Sequence, residues 1–152
     1  MTLPYQYASS GDKALVEAKK ILVRLGATTV GDMQSGHVWT LFFELHGERV
    51  RIEVDAIAYA RLWLAEHPRG ARSRVSDNEH QKRAITIGQA AIKSIIRDWI
   101  KAQATAIELG AIDAAAAFLP FMVMPDGGTV ARHVASGGMA EIGLLALGYD
   151  RR

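Results

Sequence analysis

The 152-residue chain has no cysteine. That excludes disulfides, thiolate metal ligands and a cysteine nucleophile, and it suits a reducing compartment. Long apolar runs are also missing. The longest tract, 114–124, contains Pro120 and stops at Pro125, well short of the ~18 residues a membrane span needs. The opening Met1-Thr-Leu-Pro-Tyr-Gln-Tyr7 has neither the basic nor the apolar block of a signal peptide. These absences predict a cytoplasmic protein with no membrane partner.

The common catalytic signatures are absent too. None of His37, His46, His67, His80 and His133 has the i, i+4 partner of a helical zinc motif. There is no Gly-x-Ser-x-Gly elbow, no Walker lysine loop and no Gly-x-Gly-x-x-Gly run. The serines of Ser35-Gly-His37 and Ser136-Gly-Gly138 read as loop formers, and Asp126-Gly-Gly128 as a tight turn. A nuclease-like metal site can be drawn from Asp32, Glu44 and Glu53. Hairpin carboxylates are usually solvated or paired, however, and Glu44 has Arg49 opposite, so these acids read as structural. No catalytic residue, metal or cofactor is implied.

What is present is material for one core. The residues are 49% hydrophobic and 22% charged, an ordinary balance for a domain of this length. Neither an internal repeat nor a linker divides the chain, so residues 1–152 are expected to form a single α+β domain. Residues 1–9 read as an arm, a candidate flexible segment.

A helix is predicted from Asp12, with Leu15, Ala18, Leu22 and Leu25 on one face and Gly26 ending it. A strand is expected over 27–33. Val38–Leu45 and Glu48–Asp55 alternate as two strands around His46-Gly47. A two-residue turn makes paired residue numbers sum to 93. Trp39, Leu41 and Phe43 then oppose Val54, Ile52 and Val50 on a core face. Thr40, Phe42 and Glu44 oppose Glu53, Arg51 and Arg49 on the other face.

A helix over 56–66 stops at Pro68. Ser76-Asp-Asn-Glu79 is a capping box that opens a helix over 77–109. Its buried stripe is expected at Ile85, Ile92, Ile95, Ile96, Trp99 and Ile107. Short helices are predicted at 112–117 and 129–134, and a last strand at 118–124. Asp113 reads as a helix-start residue. The fold expected is a small antiparallel sheet, the 38–55 hairpin plus one or two strands, packed under the long amphipathic helix.

Charge distribution carries the functional reading. The net charge is only +2. From Arg69 to Lys101, however, eight lysines and arginines face three acids, a local net charge of +5, so the remainder carries −3. Arg69, Arg72 and Arg74 lie in a basic loop, and Lys93, Arg97 and Lys101 recur every four residues along the helix after it. Such groups neutralise phosphates and release counterions. Phe42, flanked by Arg49 and Arg51, could stack an unpaired base. These nine residues are the candidate nucleic-acid contacts. If the loop folds back along the helix, its arginines and the helix ridge become one phosphate-tracking surface.

As a set, three segments resemble small phage and prophage proteins. They are Phe43-Glu-Leu-His-Gly-Glu-Arg-Val50, Ser94-Ile-Ile-Arg-Asp-Trp-Ile-Lys101, and Phe118-Leu-Pro-Phe-Met122 with Pro125-Asp-Gly-Gly-Thr-Val130. The resemblance covers roughly residues 12–134 and implies a context but no mechanism. Such proteins often have an acidic and aromatic segment where this chain has Ala114–Ala117, which weakens the case for a functional carboxylate there. The expectation is a phage or prophage accessory protein that binds nucleic acid. The alternatives are a non-enzymatic factor that binds and inhibits a host protein, and an enzyme with an unrecognised metal site. The apolar segment 139–147 suggests either packing on the core or a homodimer contact, the dimer being preferred.

Overall fold

The computed structural model describes residues 2–9 and 11–138. It is an α+β fold: a three-stranded antiparallel sheet with its three longest helices packed on one face. The strands are β1 (Thr28–Ser35), β2 (Val38–Leu45) and β3 (Glu48–Asp55), in sheet order β1-β2-β3. The helices are α1 (Gly11–Leu25), α2 (Ala56–Glu66), α3 (Asp77–Glu108), α4 (Ala114–Phe118) and α5 (Val130–His133).

The hairpin register is the one that the alternation predicts. Phe43 pairs with Val50 and Leu41 with Ile52, and every β2–β3 pair has residue numbers that sum to 93. Positive φ at both His46 (52°) and Gly47 (82°) marks the turn type that matches strand twist. Trp39, Leu41, Phe43, Val50 and Ile52 are buried in one core cluster with Ala18 and Leu22 of α1 and Ile92 and Ile100 of α3.

β1 extends to Ser35, two residues beyond the expected end. Its free edge is guarded in two ways. The register shifts between Thr28 and Gly31, and the inward-facing carboxylate Asp32 pairs with Lys19 and accepts from Trp39 Nε1 at 3.3 Å. Both devices discourage a further strand from pairing there.

α3 is the spine of the helical layer, about 48 Å long at 1.5 Å per residue. Both halves of the capping box are made, with Ser76 accepting from Glu79 N and Glu79 from Ser76 N. α2 starts on Asp55, whose carboxylate accepts from Ile57 N at 2.9 Å, and runs antiparallel along the first half of α3. α1 runs parallel to the second half, from Gly11 beside Ala90 and Lys93 to Arg24, which pairs with Glu108.

The buried line of α3 differs from the isoleucine stripe expected. It runs through Ala84, Gly88, Ala91, Ile92, Ser94, Ile100 and Ala104, while Ile85, Ile95, Ile96, Trp99 and Ile107 are half-buried at its margins. Two helices flank α3, and close approach selects small residues along the seam. Trp99 is not fully buried, but its ring makes edge contacts with Phe118 and Phe121.

The segment 118–124 is a correction. Phe118 ends α4, and Leu119–Phe121 form a 3-10 turn around Pro120. Only Met122 and Val123 form bridges, to Val50 and Thr129. Pro120 has no N–H to donate to a ladder, and Pro125 closes the stretch from the other side.

Residues 2–9 lie against the helices: Leu3 packs on the core, Tyr59 Oη donates to Pro4 O, and Tyr5 Oη donates to Asp98 at 2.6 Å. The segment 139–147, expected to pack on the core or make a homodimer contact, lies outside the described residues.

Candidate nucleic-acid interface

The nine candidate residues fall on three separate surfaces. The first is the loop between α2 and α3. Its base is closed by His80 Nε2, 2.7 Å from His67 O, and by the His67 ring stacked on Trp63 with centroids 4.5 Å apart. Arg69 is spent inside the loop, its Nε 2.6 Å from Asp77 and its Nη1 donating to Val75 O. Arg72 and Arg74 are exposed, with no side-chain partner among the described residues.

These anchors hold the loop at the first turn of α3. Lys93 and Lys101 lie about 24 Å and about 36 Å further along the axis. The loop therefore does not fold back along the helix, and one continuous stripe is not formed. The anchors are carbonyl and carboxylate contacts that neither the charge count nor the helical period reveals.

The second surface is the Lys93/Arg97/Lys101 ridge, whose Lys93 and Arg97 lie against α1. Lys93 is half-buried against Gly11. Arg97 donates through Nε to Asp98 at 2.8 Å, and its Nη1 lies 3.7 Å from Glu17. Hydrogen bonds from Arg97 and then Tyr5 hold the Asp98 carboxyl below the usual range, and the Asp98 bond raises the Tyr5 hydroxyl. Only Lys101 is exposed. Of this ridge only Arg97 is ion-paired, within α3 to Asp98 and across to Glu17 of α1.

The third surface is the outer face of the sheet, which does bring its candidates together. Phe42 remains 38% exposed, and it lines a cleft of about 190 Å³ with Arg49, Arg51, Glu44, Thr29 and Val123. Arg49 stands across the hairpin from Glu44 without an ion pair, and its side chain has no partner among the described residues. Arg51 Nε lies 3.2 Å from Glu53 Oε1, but it is enclosed and misaligned, so it makes no hydrogen bond. One guanidinium is thus free, and the second is ion-paired with Glu53, both beside an open aromatic ring.

The carboxylates drawn together as a metal site are split by the pleat. Asp32 is the register partner of Leu41 and faces the helices, whereas Glu44 and Glu53 face outward. Among the described residues no group of three or more metal-ligating side chains occurs, and no helix is long and apolar enough to cross a membrane.

Sequence reasoning missed Gly31, the floor under Phe42. A glycine inside a strand pattern was the available signal, since it often marks a close approach. Tyr5 and Glu17, which engage Asp98 and Arg97, carry no local sequence signal.

Comparison of the chain with protein-family models, with curated proteins and with solved structures finds no match. The likeness to phage and prophage proteins rests on the three motifs alone.

Proposed function

We propose that this is a non-enzymatic phage or prophage accessory protein that binds single-stranded nucleic acid on the outer face of its sheet. The observation that carries the reading is the cleft lined by exposed Phe42, unpaired Arg49 and Arg51. An aromatic ring offers stacking worth about 1–3 kcal/mol per base. Two guanidiniums offer phosphate contacts, and only an unpaired base can reach the ring. Arg72 and Arg74 on the α2–α3 loop are a second, sequence-independent phosphate contact.

The test is fluorescence anisotropy with labelled single- and double-stranded oligonucleotides across a salt series. Single strands should bind with a log–log salt slope near −0.7 for each phosphate contacted. Phe42→Ala should weaken single-strand binding by roughly 5- to 150-fold and leave duplex binding unchanged. Arg49→Ala should flatten the slope by about 0.7. No binding at low salt refutes the reading.

A protein partner is the second reading, favoured by the mixed charge of the same face. Glu44, Glu53 and Asp55 accompany Arg49 and Arg51 there, and Met33 is exposed on the adjoining strand. Such a surface binds a host protein with weak salt dependence, and capture of that protein is lost with Phe42→Ala.

A further inference from the structure

A second concavity, remote from the sheet face, lies where the N-terminal arm crosses the helices. It encloses about 390 Å³, within the range of small-molecule sites. Leu3, Tyr5 and Tyr7 of the arm form one wall, and Lys13 of α1 with Ser94 and Arg97 of α3 form the other.

Ser94 is unusual here. It is only 5% exposed and lines the cavity, yet its hydroxyl has no hydrogen-bond partner among the described residues. Thr86 and Thr105 on the same helix do bond back to the carbonyls four residues earlier. The Ser94 oxygen is open to the cavity rather than sealed from it, so a ligand there can accept its hydrogen bond. Arg97 points the same way. Asp98 takes its Nε, Glu17 stays at 3.7 Å from Nη1, and the remaining guanidinium N–H groups have no hydrogen-bond partner among the described residues.

We propose that this pocket binds a small phosphate monoester with an aromatic body. The phosphate offers three acceptor oxygens to the hydroxyl of Ser94 and the free guanidinium N–H groups of Arg97. The body lies along Leu3, Tyr5 and Tyr7. The acids nearby do not cancel this. Asp98 is already satisfied by Arg97 and Tyr5, and Lys93 and Lys101 flank Arg97 along α3. A carboxylate has one oxygen fewer and fits the donor set less well. The site is independent of the nucleic-acid reading and shares no residue with the Phe42 cleft.

The test is calorimetric titration of the intact protein with phenyl phosphate, inorganic phosphate and benzoate, with amide chemical shifts to locate the binding. Phenyl phosphate should bind saturably, about tenfold tighter than either of the others, and move the amides of Ser94, Arg97 and Lys13. Ser94→Ala keeps a good helix former in α3 and should weaken phenyl phosphate about tenfold at an unchanged melting temperature. Arg97→Lys, which keeps the charge beside Asp98, should weaken it at least as much. Phe42→Ala should bind it as the wild type does. The proposal is overturned by any one of three results: no saturable binding, benzoate binding as tightly as phenyl phosphate, or Ser94→Ala and Arg97→Lys both matching the wild type. Loss of binding in Phe42→Ala would place the ligand on the sheet and overturn it as well.

Discussion

The ring of Phe42 lies over the α-carbon of Gly31. A methyl group built on Gly31 would stand 2.6 Å from both Cε2 and Cζ of the ring. The two residues are register partners on neighbouring strands, so the glycine sets where the aromatic surface sits. Gly31→Ala must push the ring aside, and a half-exposed ring can yield. The stability change should stay within about 1 kcal/mol, because the lost fit is offset by the strand's gain from replacing glycine. Single-strand affinity should nevertheless fall toward that of Phe42→Ala. Anisotropy titration together with a thermal melt checks both halves, and full affinity in Gly31→Ala would show that the ring position is irrelevant.

Gly88 is the opposite case. A methyl group there would lie 2.8 Å from the carbonyl oxygen of Ala56, which belongs to the backbone of α2 and has little freedom to move. Alanine favours the helix by about 1 kcal/mol, but forcing two backbones apart costs about 1–3 kcal/mol. Gly88→Ala should therefore lower stability in urea denaturation, whereas Gly70→Ala, with open space around it, should be near neutral.

Trp99 joins α3 to the segment after α4. Its ring sits 5.9 Å from Phe118 and 5.4 Å from Phe121, both edge-on. Complete burial would make Trp99→Ala cost about 3–5 kcal/mol, so half-burial places it near or below the bottom of that range. Trp99→Phe keeps an aromatic partner and should cost less. Proteolysis should reach residues 119–129 faster in the alanine variant than in the wild type. Equal cleavage would mean that the ring does not hold that segment.

Three aspartates make the fold acid-sensitive. Burial pushes the Asp32 carboxyl up, but hydrogen bonds from Lys19 and Trp39 and the charge of Lys19 outweigh it and hold the group below its ordinary value. The Ile57 amide and then His37 lower Asp55, and Arg97 and Tyr5 lower Asp98. A carboxyl depressed in the folded state binds fewer protons there than in the unfolded chain. Its stabilisation is complete above the unfolded value, near 3.9, and is lost as pH falls through the folded one. The melting temperature should fall steeply below about pH 4. Asp32→Asn should flatten that limb and cost about 1 kcal/mol at neutral pH, while Asp98→Asn, half exposed, should cost less. A melting curve indifferent to pH between 5 and 2 would contradict this.

Much of the local architecture was legible because its causes are local. His46-Gly47 can take positive φ at both positions, and a two-residue turn admits one register, so the inward and outward faces of β2 and β3 follow. Ser76 and Glu79 begin α3 with contacts three residues apart. Misreadings arose where a neighbour distant in sequence decides. Isoleucines predict the apolar stripe of an isolated helix, but a helix gripped from two sides buries its smallest residues deepest. Thr40 alternates outward as a polar residue and is buried all the same, between Met33 and Glu53 in the register.

For the candidate site, the chain by itself determined which side chains could meet a phosphate and that Phe42, Arg49 and Arg51 share a face, since pleat and register are consequences of spacing. Only the tertiary structure decided which charges are still free. Arg69 is held by Asp77, and Arg97 through its Nε by Asp98 with Glu17 nearby; Lys93 has its stem packed on the start of α1 but its charge unpaired, and Arg49, Arg72, Arg74 and Lys101 are likewise without an ion pair among the described residues. A cation's availability depends on what stands within about 4 Å of it, and long-range packing puts those neighbours there.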